Sequence, residues 1–183
     1  LDDELQHMSH LVQELLQFAK ATHEQPHQLV DVVLDPLIQM VIDRECGTGS
    51  EAQIEVNVPN DLIVIAEPAL LARAVGNVLR NALYYAGSFG KIEIAASATG
   101  DGNILLTLSD SGPGVPPESI DRLFEPFYRT DEARTPDKGG VGLGLAIVKY
   151  CIQACGGTVT ASNPEAGGLK IDIMLKPAKS PEE

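Results

Sequence analysis

The sequence predicts an α+β fold, a two-layer α/β sandwich in which helices cover one face of a mixed, mostly antiparallel sheet. From Gln28 onward, apolar residues switch repeatedly between the alternating period of a strand and the longer period of a helix. Strand patterns that follow one another are joined by the tight turns Gly100-Asp-Gly102 and Gly167-Gly168, which imply antiparallel neighbours rather than a doubly wound sheet. Hydrophobic residues make up 44% of the 183, enough apolar surface for one ordinary core plus a short extension.

The extension comes first. Leu1, Leu5, Met8, Val12, Leu15, Ala19 and Thr22 recur at spacings of four and three, the seam of a coiled-coil or bundle helix. Such a stripe needs cover, either a second helix, most simply in a dimer, or the chain's own globular domain. Pro26 closes the pattern. Beyond it, Leu34 to Cys46 reads as a helix and Gln53 to Val58 and Leu62 to Ile65 as strands. Pro68 to Tyr85 reads as a long helix with Pro in its first turn. Lys91 to Ala98 and Ile104 to Leu108 are strands, Leu143 to Cys155 is an apolar helix, and Thr158 to Ser162 and Leu169 to Leu175 are strands. The expected organisation is therefore a helical segment 1–25, a globular domain 26–178 and a polar tail 179–183. Because Leu1 opens inside a helical pattern, the chain is expected to be part of a longer protein.

A formal charge of −13 argues against nucleic acid as a partner, since phosphate backbones are bound chiefly by Lys and Arg clusters. Without a run of about twenty apolar residues, no membrane contact is expected of this segment. Cys46, Cys151 and Cys155 lie among apolar residues and read as buried thiols rather than a disulfide framework or a zinc set.

Four motifs stand in order between Arg73 and Gly157: Asn77-Val-Leu-Arg-Asn81-Ala, Asp110-Ser-Gly-Pro-Gly114, Phe124-Glu-Pro-Phe127 and Gly139-Gly-Val-Gly-Leu-Gly-Leu145. Singly each has a plain structural reading, because glycine clusters turn the chain and a helical asparagine is usually solvated. Together their chemistry converges. Asn77 and Asn81 leave one helix face about 5–6 Å apart, a face able to hold a metal phosphate. Asn is a mediocre helix former, so two of them amid apolar residues ask for a reason. Asp110 ends a Leu- and Ile-rich strand, where a buried carboxylate needs a partner, and Gly112 and Gly114 allow close backbone approach. Gly140, Gly142 and Gly144 precede a helix, so their N–H groups and the helix N-terminus can face a triphosphate. Between Phe124 and Gly139 lies a polar stretch, read as a lid, with Arg129, Arg134 and Lys138 as its cations. Phe124 and Phe127 are expected to anchor its hinge in apolar surface.

This set resembles the N, G1, F and G2 boxes of the ATP-binding domain of sensor histidine kinases, in the superfamily that also holds DNA gyrase, the MutL mismatch-repair ATPase and a heat-shock chaperone. The resemblance covers nearly all of residues 28 to 178. It implies ATP and Mg2+ as cofactors and transfer of the γ-phosphoryl group to a histidine. By the same resemblance Asn81 is the Mg2+ ligand, Asn77 supports the phosphates, and Asp110 accepts a hydrogen bond from the adenine amine. Gly112, Gly114, Phe124, Phe127, Gly140, Val141, Gly142, Leu143 and Gly144 would line the nucleotide, with Arg129, Arg134 and Lys138 clamping the γ-phosphate. Val141 stands where Thr is frequent in the family, and Tyr84 where Arg or Lys is frequent.

The gyrase and chaperone branches carry a water-activating glutamate where this chain has Asn77. Lacking that base, phosphoryl transfer awaits a nucleophile from elsewhere, as a kinase requires. His7 and His10 lack an acidic neighbour, and in His23-Glu-Gln-Pro26 the proline comes too early for the family's acceptor pattern. His27 is no better placed. Residues 1–25 are therefore expected to be the second helix of a dimerisation hairpin, with the acceptor on a first helix outside this chain. Expected partners are that helix, a second copy in a full-length homodimer, and a response regulator. The expected setting is the cytoplasmic side of an inner-membrane sensor. An ATP-hydrolysing switch and a catalytically weakened nucleotide-binding docking module are the alternatives.

Overall fold

The computed structural model describes residues 28–46, 52–87, 90–130 and 141–178. The helix predicted for 1–25 and the tail 179–183 lie outside them. The elements are β1 (Val30–Val33), α1 (Leu34–Cys46), β2 (Gln53–Asn57), β3 (Ile63–Ala66), α2 (Pro68–Ala86), β4 (Lys91–Ala98) and β5 (Ile104–Asp110). A 3₁₀ turn (Pro117–Arg122), α3 (Gly144–Ala154), β6 (Thr158–Ser162) and β7 (Lys170–Leu175) follow.

Five strands form the main sheet in the order β2-β4-β5-β7-β6. Only β2 and β4 run parallel in it. Because side chains alternate across a strand, Ile92 and Ile94, Leu106 and Leu108, and Ile171 and Ile173 share the face that is buried. The opposite face carries polar pairs, among them Thr107, whose hydroxyl donates to Asp172 at 2.7 Å. Helix α2 packs on β4 and β5, α3 packs on α2 and β6, and α1 covers α2 from the other side. This is the predicted two-layer α/β arrangement.

The neighbours β2 and β3 are not paired with each other. β3 pairs antiparallel with β1, from Val30 opposite Ala66 to Val33 opposite Ile63, in a separate two-stranded sheet. Strand β1 was not legible in the sequence: of Val30-Asp-Val-Val33 only Val32 is buried, so the run has no clean alternation. Its partner β3 also hydrogen-bonds the segment after β7, Ile65 N–H to Lys176 C=O at 2.9 Å and Ala178 N–H to Ile63 C=O at 2.9 Å.

The start of α2 is set locally. Pro68 opens it, needing no N–H partner, and the Glu67 carboxylate caps it by accepting from the N–H groups of Ala69 at 3.2 Å and Leu70 at 2.7 Å. Ten residues of α2 are buried, Asn77 among them. A helix so widely buried lies between partners on more than one side, here α1 and α3.

Candidate functional site

The two asparagines of α2 are used differently. Asn77 is 8% exposed, its Nδ2 donates to Arg73 C=O at 2.8 Å, and its Oδ1 accepts from Arg80 Nη2 at 3.0 Å. Asn81, one turn on, is half-buried, and its side-chain amide has no hydrogen bond to a described residue. Gly144, the first residue of α3, lies beside Asn77: a β-carbon there would stand 3.6 Å from Asn77 Oδ1. The start of α3 and the middle of α2 thus meet where sequence reasoning joined the first and last motifs.

Asp110 closes β5 and is 8% exposed. Its Oδ1 accepts from the N–H groups of Gly112 at 2.8 Å and Leu169 at 3.4 Å, while Oδ2 makes no hydrogen bond to a described residue. Burial pushes this carboxyl above its usual range, against the pull of those two N–H donors. The loop after it is pinned at both ends. Ser111 exchanges its N–H and Oγ with the Lys91 backbone at 3.0 and 2.9 Å. The Asn163 side chain takes the N–H of Val115 at 3.2 Å and donates to its C=O at 2.6 Å, holding Gly114 beside it. Asn163 and Gly168 were missed in the sequence. Gly168, with φ +85°, packs on the Asp110 backbone, although its only visible signal was a hairpin turn.

Phe124 is half-buried against the core, but Phe127 is 58% exposed and holds a φ of 65°. The expected anchoring of the hinge by Phe127 is therefore corrected. Tyr128 anchors it instead, donating from its hydroxyl to the buried Ser119 Oγ at 2.9 Å, with the Arg122 guanidinium 4.2 Å over its ring. At Phe127 the backbone takes a left-handed conformation, and its side chain is left exposed while Tyr128 is half-buried. The Phe127 N–H donates to Gly142 C=O at 2.9 Å, and a β-carbon on Gly142, φ +85°, would come within 2.8 Å of Tyr128 C=O. Phe127 and Tyr128, early in the predicted lid, thus meet Gly142, just beyond its far end, at one backbone crossing.

Val141 is half-buried. The Leu143 side chain is 0% exposed and belongs to the core, leaving its backbone at the start of α3 as the part that can face a ligand. Arg134, Lys138 and Gly140 lie outside the described residues. Burial and then Tyr84 raise the Tyr85 phenol, against the weaker pull of the half-buried Arg129. Tyr84 and Tyr85 pack edge to face, with ring centroids 4.9 Å apart. A groove of about 840 Å³ lies between α1 and α2, lined by Val32, Leu37, Met40, Arg44, Arg73 and Arg80 among others.

Residues 66–179 match the histidine kinase-, DNA gyrase B-, and HSP90-like ATPase family. The chain belongs to that family. Within the matched stretch fall both asparagines, Asp110 and the start of α3. The chain is 36% identical over 180 residues to the sensor histidine kinase CpxA of Escherichia coli strain K12, an alignment covering 96% of this chain and 38% of CpxA. Among solved structures it is similar to a mycobacterial sensor histidine kinase, MprB, with TM-score 0.74 and 30% identity over 84% of this chain and all of that one. It is also similar to full-length ShkA in complex with AMPPNP, with TM-score 0.77 and 27% identity, covering 95% of this chain and 36% of ShkA. The chain thus spans well under half the length of the curated relative CpxA. No helix of the described residues is long and apolar enough to cross a membrane.

Proposed function

We propose that this domain binds Mg-ATP and transfers its γ-phosphoryl group to a histidine presented by a dimerisation helix of the same kind of protein. The observation that carries the reading is Asp110. A buried carboxyl with one oxygen held by two backbone N–H groups and the other left over is built to accept one more donor, as the exocyclic amine of adenine would provide. Guanine offers a carbonyl oxygen at that place and is refused.

Asn81 has an amide free of described partners, which suits a hard cation that takes its other ligands from water and phosphate. Bound there, Mg2+ would neutralise charge on the phosphate oxygens. The start of α3 lies beside Asn77 and its first backbone N–H groups favour anions, and Arg129, Arg134 and Lys138 are the cations of the adjoining segment. In the transfer, an imidazole nitrogen forms a bond to the γ-phosphorus as the bond to the bridging oxygen breaks. ADP carries away that electron pair, and the imidazole proton passes to a base supplied with the histidine. The domain contributes positioning and charge; Asn77 stands where a hydrolase would need a carboxylate. Dimerisation, a response regulator as the next acceptor and a cytoplasmic position below a membrane sensor belong to this proposal for the whole protein.

Calorimetric titration with ATP and GTP, with and without Mg2+, tests it. ATP should bind, Mg2+ should strengthen binding, and GTP should bind more weakly by at least about 1 kcal/mol. Equal affinities for the two nucleotides would remove Asp110 from the base-reading role.

A further inference from the structure

Asn77 is joined to the end of α1 through one arginine. The Glu45 side chain is only 8% exposed and divides its oxygens, Oε1 to Arg44 Nε at 2.8 Å and Oε2 to Arg80 Nη1 at 2.7 Å. The second terminal nitrogen of Arg80 donates to Asn77 Oδ1 at 3.0 Å. Arg44 also reaches α2, donating from Nη2 to Ala72 C=O at 3.3 Å. The bridge crosses directly over Gly76, where a β-carbon would lie 2.6 Å from Arg44 Nη2 and 3.0 Å from Glu45 Oε1.

This bridge and the Arg73 carbonyl together set which way the Asn77 amide faces. With Nδ2 donating to Arg73 C=O and Oδ1 accepting from Arg80, turning the amide over would oppose donor to donor at Arg80 and acceptor to acceptor at Arg73. Oδ1 is also the atom beside Gly144 at the start of α3. An oxygen there accepts from a backbone N–H or from a metal-bound water; it cannot donate to a phosphate.

We infer that Arg80, held by Glu45, is a positioning residue for the nucleotide site: it locks the Asn77 amide with its oxygen toward the start of α3, so that Asn77 serves the Mg-nucleotide as an acceptor. This rests on the nucleotide reading above. Arg80 itself is half exposed and acts through Asn77, as an outer partner orients an inner ligand.

The test uses the whole chain and the non-hydrolysed analogue AMPPNP, reading the Mg2+ concentration that gives half-maximal nucleotide binding. Arg80→Met should raise that concentration on the order of tenfold, the usual effect of removing an orienting partner. Metal-free AMPPNP affinity should stay the same. Arg80→Lys should recover part of the loss, and Glu45→Gln, which keeps its shape, should move in the same direction as Arg80→Met. In an Asn77→Ala background, Arg80→Met should add nothing, because the two act as one unit. A tenfold loss that persists without Asn77 would make Arg80 a direct ligand contact and overturn the inference. So would an unchanged Mg2+ requirement in folded Arg80→Met or, if that variant does not fold, in Glu45→Gln. Absence of any AMPPNP binding by the parent chain would overturn the nucleotide reading itself, a result distinct from both.

Discussion

A β-carbon on Gly168 would stand 1.7 Å from the backbone oxygen of Asp110. The hairpin between β6 and β7 is therefore part of the floor beneath the candidate base-reading carboxylate. Because Gly168 also holds φ +85°, no side chain fits without moving the β5 end. Gly168→Ala should destabilise the domain by about 2–4 kcal/mol, combining overpacking with backbone strain. Urea unfolding measures this, and a loss under about 0.5 kcal/mol, the size of an ordinary surface change, would show that the hairpin yields easily.

Asp110→Asn should separate binding from stability. Loss of the charged acceptor should weaken ATP binding by about 1–3 kcal/mol. In the unliganded domain, burial disfavours the charged carboxyl, so its folded-state pKa lies above the unfolded one. Hence the folded state binds more protons than the unfolded state through that window, and stability rises as pH falls through it. The variant cannot titrate there. Its stability relative to the parent should be greatest near neutral pH and shrink on acidification, which denaturation at a series of pH values will read. A difference independent of pH would show that the carboxylate is not the group being relieved.

Asn81→Ala should abolish phosphotransfer with little change in melting temperature, since the amide is bound to no described residue. Asn77→Ala should lower both, because it breaks bonds to Arg73 and Arg80 worth about 1 kcal/mol apiece. Paired measurements of melting and transfer distinguish the two. Unimpaired Mg-ATP binding by Asn81→Ala would show that the α2 face has been misread.

The chain alone should bind Mg-ATP yet incorporate little phosphate. A longer partner that carries the first hairpin helix and an Asn81 defect should become labelled in the mixture, on the partner and not on the fragment. Acid-labile label at His7, His10, His23 or His27 of the isolated chain would place the acceptor within this sequence instead.

Thiol chemistry should respect burial. Desolvation raises all three thiols, Cys151 to about 12, but Cys46 is only half-buried and so stays the one a reagent can reach. At mild alkaline pH a thiol reagent should modify Cys46 first, and Cys151 and Cys155 only on unfolding. Prompt reaction of all three in native buffer would contradict the packing of α3.

The elements whose signals are local could be read from the sequence. Pro68 and the three-to-four apolar period determined α2, and with it the shared face of Asn77 and Asn81. A carboxylate ending an apolar strand before Ser111-Gly-Pro-Gly114 marked Asp110, and the order of four motifs marked the family. These signals act through backbone angles and spacing within a few residues, so they survive without a fold. What joins distant segments did not. Leu169 N–H reaches Asp110 across 59 residues and Arg80 reaches Glu45 across 35, and neither approach has a periodicity to announce it. The inward turn of Leu143, the exposure of Phe127 and the pairing of β2 with β4 rather than β3 were decided in the same way. Such choices depend on which faces can be buried against each other once all the elements exist, and that balance belongs to the tertiary structure alone.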